Sequence, residues 1–277
     1  QCDPLLRNIL DPDTYNRLYS LADGLTIFVE PGFEDQALPD KPRKTYETTQ
    51  NAVHKLLYDQ WCQGKSLLLP TKSITQGLWG TFHHSDLSWA TNANKDSGRV
   101  VADWSYARGK WRINGSTADG IAAVRQYADE TYGDVRLPTL PQIIHNVHQA
   151  ADIHGWDNIV MIKADVNAAF TQMLFTASSV RRTAFPLSIG LTLVQLAANF
   201  GWRVTPSAWN VLSRTIEAWV KHKGLVHASM YVDDLMATCH KNVADDHHDM
   251  IENVFHTLMG PASIAPNKRE TGRQLVN

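Results

Sequence analysis

Two adjacent aspartates, Asp233 and Asp234, lie inside His227-Ala-Ser-Met-Tyr-Val-Asp-Asp-Leu-Met-Ala-Thr-Cys239, between two apolar runs of strand-like composition. A buried strand does not accept two neighbouring charges without compensation, so the pattern predicts a hairpin with the aspartates at its tip. A third carboxylate, Asp165, ends the apolar run Asn158-Ile-Val-Met-Ile-Lys-Ala-Asp165 and is followed by Val166-Asn-Ala-Ala-Phe170. Strands that deliver carboxylates to one point offer the hard oxygen ligands that magnesium prefers. The chemistry implied is two-metal phosphoryl transfer. Asp165 and Asp233 would bridge two Mg2+ ions, Asp234 would support them, and the Val166 carbonyl would add an oxygen, with Mn2+ as a substitute metal. Read singly, each carboxylate is an ordinary strand end or turn; the flanking apolar strands favour the joint reading.

These carboxylates need elements to hold them. Thr205-Pro206 opens a helix to about residue 222, with Thr205 as N-cap and Pro206 at the first position. Residues 141–154 have helical spacing, with Ile143, Ile144 and Val147 as the apolar face and Gly155 as the stop. Residues 242–258 predict a helix after the hairpin. Upstream, 48–62 and 119–132 predict helices, 67–69 a short strand, and 87–91 and 99–103 two strands joined by the turn Lys95-Asp-Ser-Gly98. Residues 183–200 read as two strands, with a helix as the alternative. Residues 1–45, with Pro31, Pro39 and Pro42, read as an extended lead-in with little core of its own. Interleaved helices and hairpins make the class α+β.

A chain of 277 residues with 43% hydrophobic content can bury a sizeable core, and a net charge of -2 gives no overall basic signature of a nucleic-acid binder. Locally, Arg181, Arg182, Arg203, Arg214, Lys221 and Lys223 stand against Glu217 alone, which predicts a salt-sensitive contact with a polyanion backbone. Cys2, Cys62 and Cys239 form neither a zinc spacing nor a disulfide framework. They read as belonging to a reducing, intracellular compartment, cytoplasm or nucleus. No apolar run is long enough to predict a membrane span.

Several segments in order resemble the reverse-transcriptase family of retroelements. They are Arg99-Val-Val-Ala-Asp103 with Ile113-Asn114, Leu137-Pro-Thr-Leu-Pro141, Lys163-Ala-Asp-Val-Asn-Ala-Ala-Phe170, Phe200-Gly-Trp-Arg-Val-Thr-Pro206 and Tyr231-Val-Asp-Asp234. The resemblance runs from about residue 65 to 277. It implies an α+β right-hand polymerase, with a lead-in and first helix over 1–64, fingers and the start of the palm over 65–155, and palm over 156–277. The palm would be an antiparallel sheet backed by helices, and the thumb is absent, since the chain ends soon after Lys268. The implied activity is RNA-directed DNA synthesis, adding dNTPs to a primer 3′-hydroxyl on an RNA or DNA template. Thumb, RNase H and integrase domains of a polyprotein would be partners. Carried onto this chain, Asp165, Asp233 and Asp234 form the catalytic metal triad. Phe170 lies under the nucleotide sugar and excludes a 2′-hydroxyl. Lys95 and Arg99 hold the triphosphate, Gly201 lets the backbone approach the nucleotide or template, Tyr231 and Val232 lie near the primer end, and Lys268 donates a proton to pyrophosphate. One departure is Phe200, where many retroviral members carry Gln before the Gly.

Among the tryptophans, Trp202 is the one read as a stacking platform for nucleic acid. Two alternatives remain: a catalytically inactive nucleic-acid-binding remnant, and another palm-type metal enzyme such as a nucleotidyl cyclase or an RNA-templated RNA polymerase. Other signals read as structure. Asp96-Ser97-Gly98 is a surface turn, Asp245 to Asp249 a solvated acidic helix start, and His145 with His148 a helix face lacking a third ligand. Asn114-Gly-Ser116 matches a glycosylation sequon by pattern only.

Overall fold

The computed structural model describes residues 3–35, 50–76, 80–91, 98–105, 110–187, 190–264 and 269–272. In chain order its helices are α1 (Asp3–Ile9), α2 (Pro12–Ala22), α3 (Gln50–Cys62), α4 (Thr71–Thr75), α5 (Ala118–Tyr132), α6 (Leu140–His154), α7 (Ala177–Val180), α8 (Thr205–His222) and α9 (Ala244–Met259). Its strands are β1 (Ser66–Pro70), β2 (Asp86–Thr91), β3 (Gly98–Asp103), β4 (Ile159–Asp165), β5 (Ala184–Pro186), β6 (Leu191–Gln195), β7 (Ala228–Tyr231), β8 (Asp234–His240) and β9 (Glu270–Gly272). The architecture is mixed α+β, and the paired strands run antiparallel. No helix among the described residues is long and apolar enough to cross a membrane.

The chain forms two compact units, each assembled from separated segments. Unit 1 takes Gln1–Ala22, Tyr132–Gln172 and Ser207–Asn277; unit 2 takes Asp23–Thr131 and Met173–Pro206. Strand pairs join segments far apart in sequence within each unit: β4 to β8 in unit 1, β1 to β6 in unit 2.

Unit 1 is built on a four-stranded sheet in the order β7-β8-β4-β9. In α9, Ala244, His248, Ile251, Val254 and Phe255 are buried, a helical stripe that packs on β4. On α6 the buried residues are Ala150 and Ala151, which cluster with Ile159 and the half-buried Val147. Of the expected apolar face, Val147 packs there and Ile143 is half-buried, while Ile144 is corrected: it is 47% exposed, and Ala150 and Ala151 take its place in the buried contact. The lead-in is also corrected, since residues 3–22 form two helices. Asp11 caps α2, accepting from the Thr14 amide at 2.9 Å, and Pro12 opens the first turn. That hydrogen bond, followed by the Thr14 hydroxyl, holds the Asp11 carboxyl below its usual range.

Unit 2 contains the three-stranded sheet β1-β6-β5 and the hairpin β2-β3. The region 183–200 does form two strands, and 87–91 pairs with 98–103. Residues 23–35 belong to this core: Leu25 and Ile27 are buried, and Asp35 pairs with Arg182 at 3.4 Å. Glu30 is buried and accepts from the Ser116 amide at 2.7 Å, just ahead of α5, so it supplies negative charge at that helix N-terminus. Thr205, expected as an N-cap, instead donates its hydroxyl to the Asn199 carbonyl at 3.2 Å.

His83 is buried with its ring 4.8 Å from that of Phe33. Burial, then the neighbouring charges of His84 and Arg182, pushes its pKa down to about 3. The folded state therefore holds His83 neutral, while the unfolded chain takes up a proton below about pH 6.5. This contribution to stability is complete above about pH 6.5 and is lost as pH falls towards the folded value, on the order of 5 kcal/mol at full titration. His83→Phe is expected to remove about 2 kcal/mol of the parent's stability loss between pH 7 and 5, read by urea unfolding at both pH values. Identical pH slopes in parent and variant would show that another group carries the acid response.

Candidate metal centre

The register of the unit 1 sheet brings the carboxylates together. Asp165, the last residue of β4, is the cross-strand partner of Asp234, the first residue of β8, and Asp234 in turn faces Tyr231 of β7. Directly paired residues project from the same face of a sheet, so Asp165 and Asp234 are neighbours by strand geometry. Asp233 sits in the two-residue turn between β7 and β8. The amide of Val166 donates to the Asp233 carbonyl at 2.9 Å, which ties the hairpin tip to the end of β4. One carboxylate oxygen from each of Asp165, Asp233 and Asp234 lies within 4.8 Å of the others. Asp165 is buried; the other two are half-buried.

Three carboxylates this close repel one another. Burial pushes the Asp234 carboxyl up; Lys163 opposes that, while Asp233 and Asp165 push it further up. Lys163, two residues before Asp165 on β4, reaches Asp234 at 3.3 Å and offsets part of the negative charge. The donor set, one oxygen from each of three carboxylates, could hold a metal ion.

The backbone is strained on both sides of this cluster. Among the described residues, the non-glycine positions with positive φ are Ala168 (φ 46°), three residues after Asp165, and Val232 (φ 54°), directly before Asp233. A β-branched residue in the left-handed region is disfavoured by about 1–2 kcal/mol. Such strain persists where surrounding contacts over-determine it, characteristically at functional sites.

Other predicted site residues are distributed as follows. Val166, Phe170, Tyr231 and Val232 belong to unit 1 with the triad. Phe170 is half-buried with its ring edge-on to Trp209, and Tyr231 is 46% exposed. Gly201, Trp202 and the backbone of Arg99 belong to unit 2. Lys95, Asp96, Ser97, Lys268 and the side chain of Arg99 lie outside the described residues. Trp202 is a correction: it is 1% exposed and packs against Phe175 and Trp104, so neither ring face is open for a base. The basic excess is corrected in part. Arg181 and Arg182 pair with Asp35, Arg214 with Asp11 and Lys221 with Glu217, so four of those six cations are engaged within the chain. The sequon remains a match by pattern only. Asn114 is buried, and its amide donates to Ser105 and to the Gly201 carbonyl.

Two residues at the centre escaped sequence reasoning. Lys163 was visible only as part of a motif; its spacing of two from Asp165 on a strand was the signal that it shares that face. Nothing in the sequence distinguishes Trp209 from an ordinary core tryptophan or shows that its indole N–H reaches the hairpin turn. No known family model matches the chain, and no curated protein matches it.

Proposed function

We propose that this chain is the fingers and palm of a retroelement reverse transcriptase, an RNA-directed DNA polymerase that extends a primer with deoxynucleotides on an RNA or DNA template. Unit 1 would be the palm, its antiparallel sheet carrying the triad. One observation carries this reading: Asp165, Asp233 and Asp234 converge at the end of β4 and the tip of the β7–β8 hairpin, with strained backbone on both sides. A pair of Mg2+ ions held there would lower the pKa of the primer 3′-hydroxyl and neutralise charge on the departing pyrophosphate. Asp165 and Asp233 would hold both ions, with Asp234 and the Val166 carbonyl completing the oxygen set. Lys163, 3.3 Å from Asp234, offsets part of the triad's negative charge. The half-buried ring of Phe170, five residues after Asp165 and braced by Trp209, would sit under the sugar and exclude a 2′-hydroxyl. Tyr231 would meet the primer end, and Arg99, Lys95 and Gly201 would serve the incoming triphosphate.

The test is extension of a DNA primer on an RNA template with dNTPs and Mg2+ or Mn2+. Extension is the expected result. No extension with either metal would leave a nucleic-acid-binding remnant, and cyclic nucleotide formation in its place would point to a cyclase. In the same assay Phe170→Ala is expected to raise ribonucleotide incorporation relative to deoxynucleotide by about tenfold or more, since it removes a steric barrier. An unchanged ratio would remove Phe170 from the sugar site.

A further inference from the structure

We infer that Trp209 is a positioning residue for the metal centre, acting through the backbone of the turn that carries Asp233. This deepens the proposed two-metal reading and rests on it. Trp209 lies on α8 and is 1% exposed, and its Nε1–H donates to the Val232 carbonyl at 2.7 Å. That carbonyl belongs to the peptide group joining Val232 to Asp233. The bond therefore fixes the peptide plane from which the Asp233 side chain departs. Val232 is the β-branched residue held at φ 54°, a conformation that an isoleucine- or valine-type side chain leaves unless it is held. The next carbonyl, that of Asp233, accepts from the Val166 amide at 2.9 Å. Both carbonyls of the two-residue turn are thus pinned from outside the hairpin.

The same helix grips the hairpin a second time. Glu217, eight residues after Trp209, accepts from the Met230 amide at 3.0 Å on the outer edge of β7. The Trp209 ring also meets the Phe170 ring edge-on, with centroids 6.4 Å apart. One buried side chain therefore touches the turn that presents Asp233 and the aromatic that follows Asp165. Carboxylates that must place their oxygens on shared ions depend on such outer supports.

The test is Mn2+ binding by calorimetry to the full chain, comparing the parent with Trp209→Phe, which keeps a ring against Phe170 and removes the N–H donor. The expected result is a Kd raised about tenfold, measured below each variant's melting temperature, since truncating a ring that is 1% exposed also lowers stability. Replacing Trp209 with β-(3-benzothienyl)alanine, isosteric with Trp and lacking the N–H, is expected to weaken binding equally, and serves if the Phe variant does not fold. Unchanged Mn2+ affinity in a folded variant overturns the inference alone. A parent that binds no Mn2+ overturns the metal reading, and the inference with it.

Discussion

Asp233→Asn is expected to lower primer extension by about a thousandfold or more, while leaving the metal-free protein as stable as the parent or about 2 °C more so in melting temperature. The two halves of this expectation have one cause. The carboxylates of Asp165, Asp233 and Asp234 approach within 4.8 Å of one another, and at that spacing mutual repulsion is a standing cost until cations arrive. The raised Asp234 carboxyl registers that cost, with Asp233 and Asp165 both contributing to it after burial. An amide at position 233 has the same shape and no charge. It relieves about 1 kcal/mol of repulsion at a half-exposed site but is a poor hard ligand for magnesium. The structural duty of residue 233 lies in its backbone carbonyl, which accepts from Val166 and is untouched by the substitution. Asp234→Asn should behave differently, since it weakens the partner of Lys163, which is only 14% exposed. Calorimetric melting without metal, set beside single-turnover extension, checks both halves. A fall of several degrees for Asp233→Asn would make the carboxylate structural, and retained extension would remove it from the metal site.

The part of this site that was legible in the sequence is the part governed by charge. Two adjacent aspartates between apolar runs force a turn, and an apolar run ending in Asp165 forces a strand end; the register that sets Asp165 opposite Asp234 is visible only in the fold. What was not legible depends on partners distant in sequence. The indole of Trp209 is indistinguishable from core until the hairpin lies against it. Arg181, Arg182 and Arg214 looked like a free basic surface because their partners, Asp35 and Asp11, stand more than a hundred residues earlier. The Trp202 ring looked available beside a glycine and is enclosed by Phe175 and Trp104. At the N-terminus the signal was present and outweighed: Asp11-Pro12 is an N-cap followed by a first-turn proline, but Pro31, Pro39 and Pro42 dominated the reading. On α6, the large side chains Ile143 and Ile144 drew attention from Ala150 and Ala151, whose small size lets the helix approach β4 and β8 closely.

Gly201→Ala is expected to destabilise the protein by about 4 kcal/mol or more, with no nucleotide or metal involved. Sequence comparison of motifs assigned this glycine to close approach by a nucleotide; within unit 2 the fold itself already requires it. Gly201 has φ 106°, a conformation outside the reach of an ordinary L side chain. A Cβ built there stands 1.9 Å from the Ala102 carbonyl oxygen and 3.2 Å from the Trp104 ring. The first of those atoms is backbone, and it cannot swing aside as a side chain would. The loop has little freedom to lift either. The Ala102 amide donates to the Phe200 carbonyl at 3.2 Å, the Asn114 side chain donates to the Gly201 carbonyl at 2.7 Å, and Asn114 Oδ1 accepts from the Arg203 amide at 2.8 Å. Moving the segment away from β3 to make room for a methyl group would break these bonds around the buried Trp104 and Trp202. Denaturant unfolding of the variant, free of ligand, checks the size of the loss. Near-parental stability with a raised KM for dNTPs would return Gly201 to the nucleotide site, because the glycine would then be needed for what binds the loop rather than for the loop's own seat on β3.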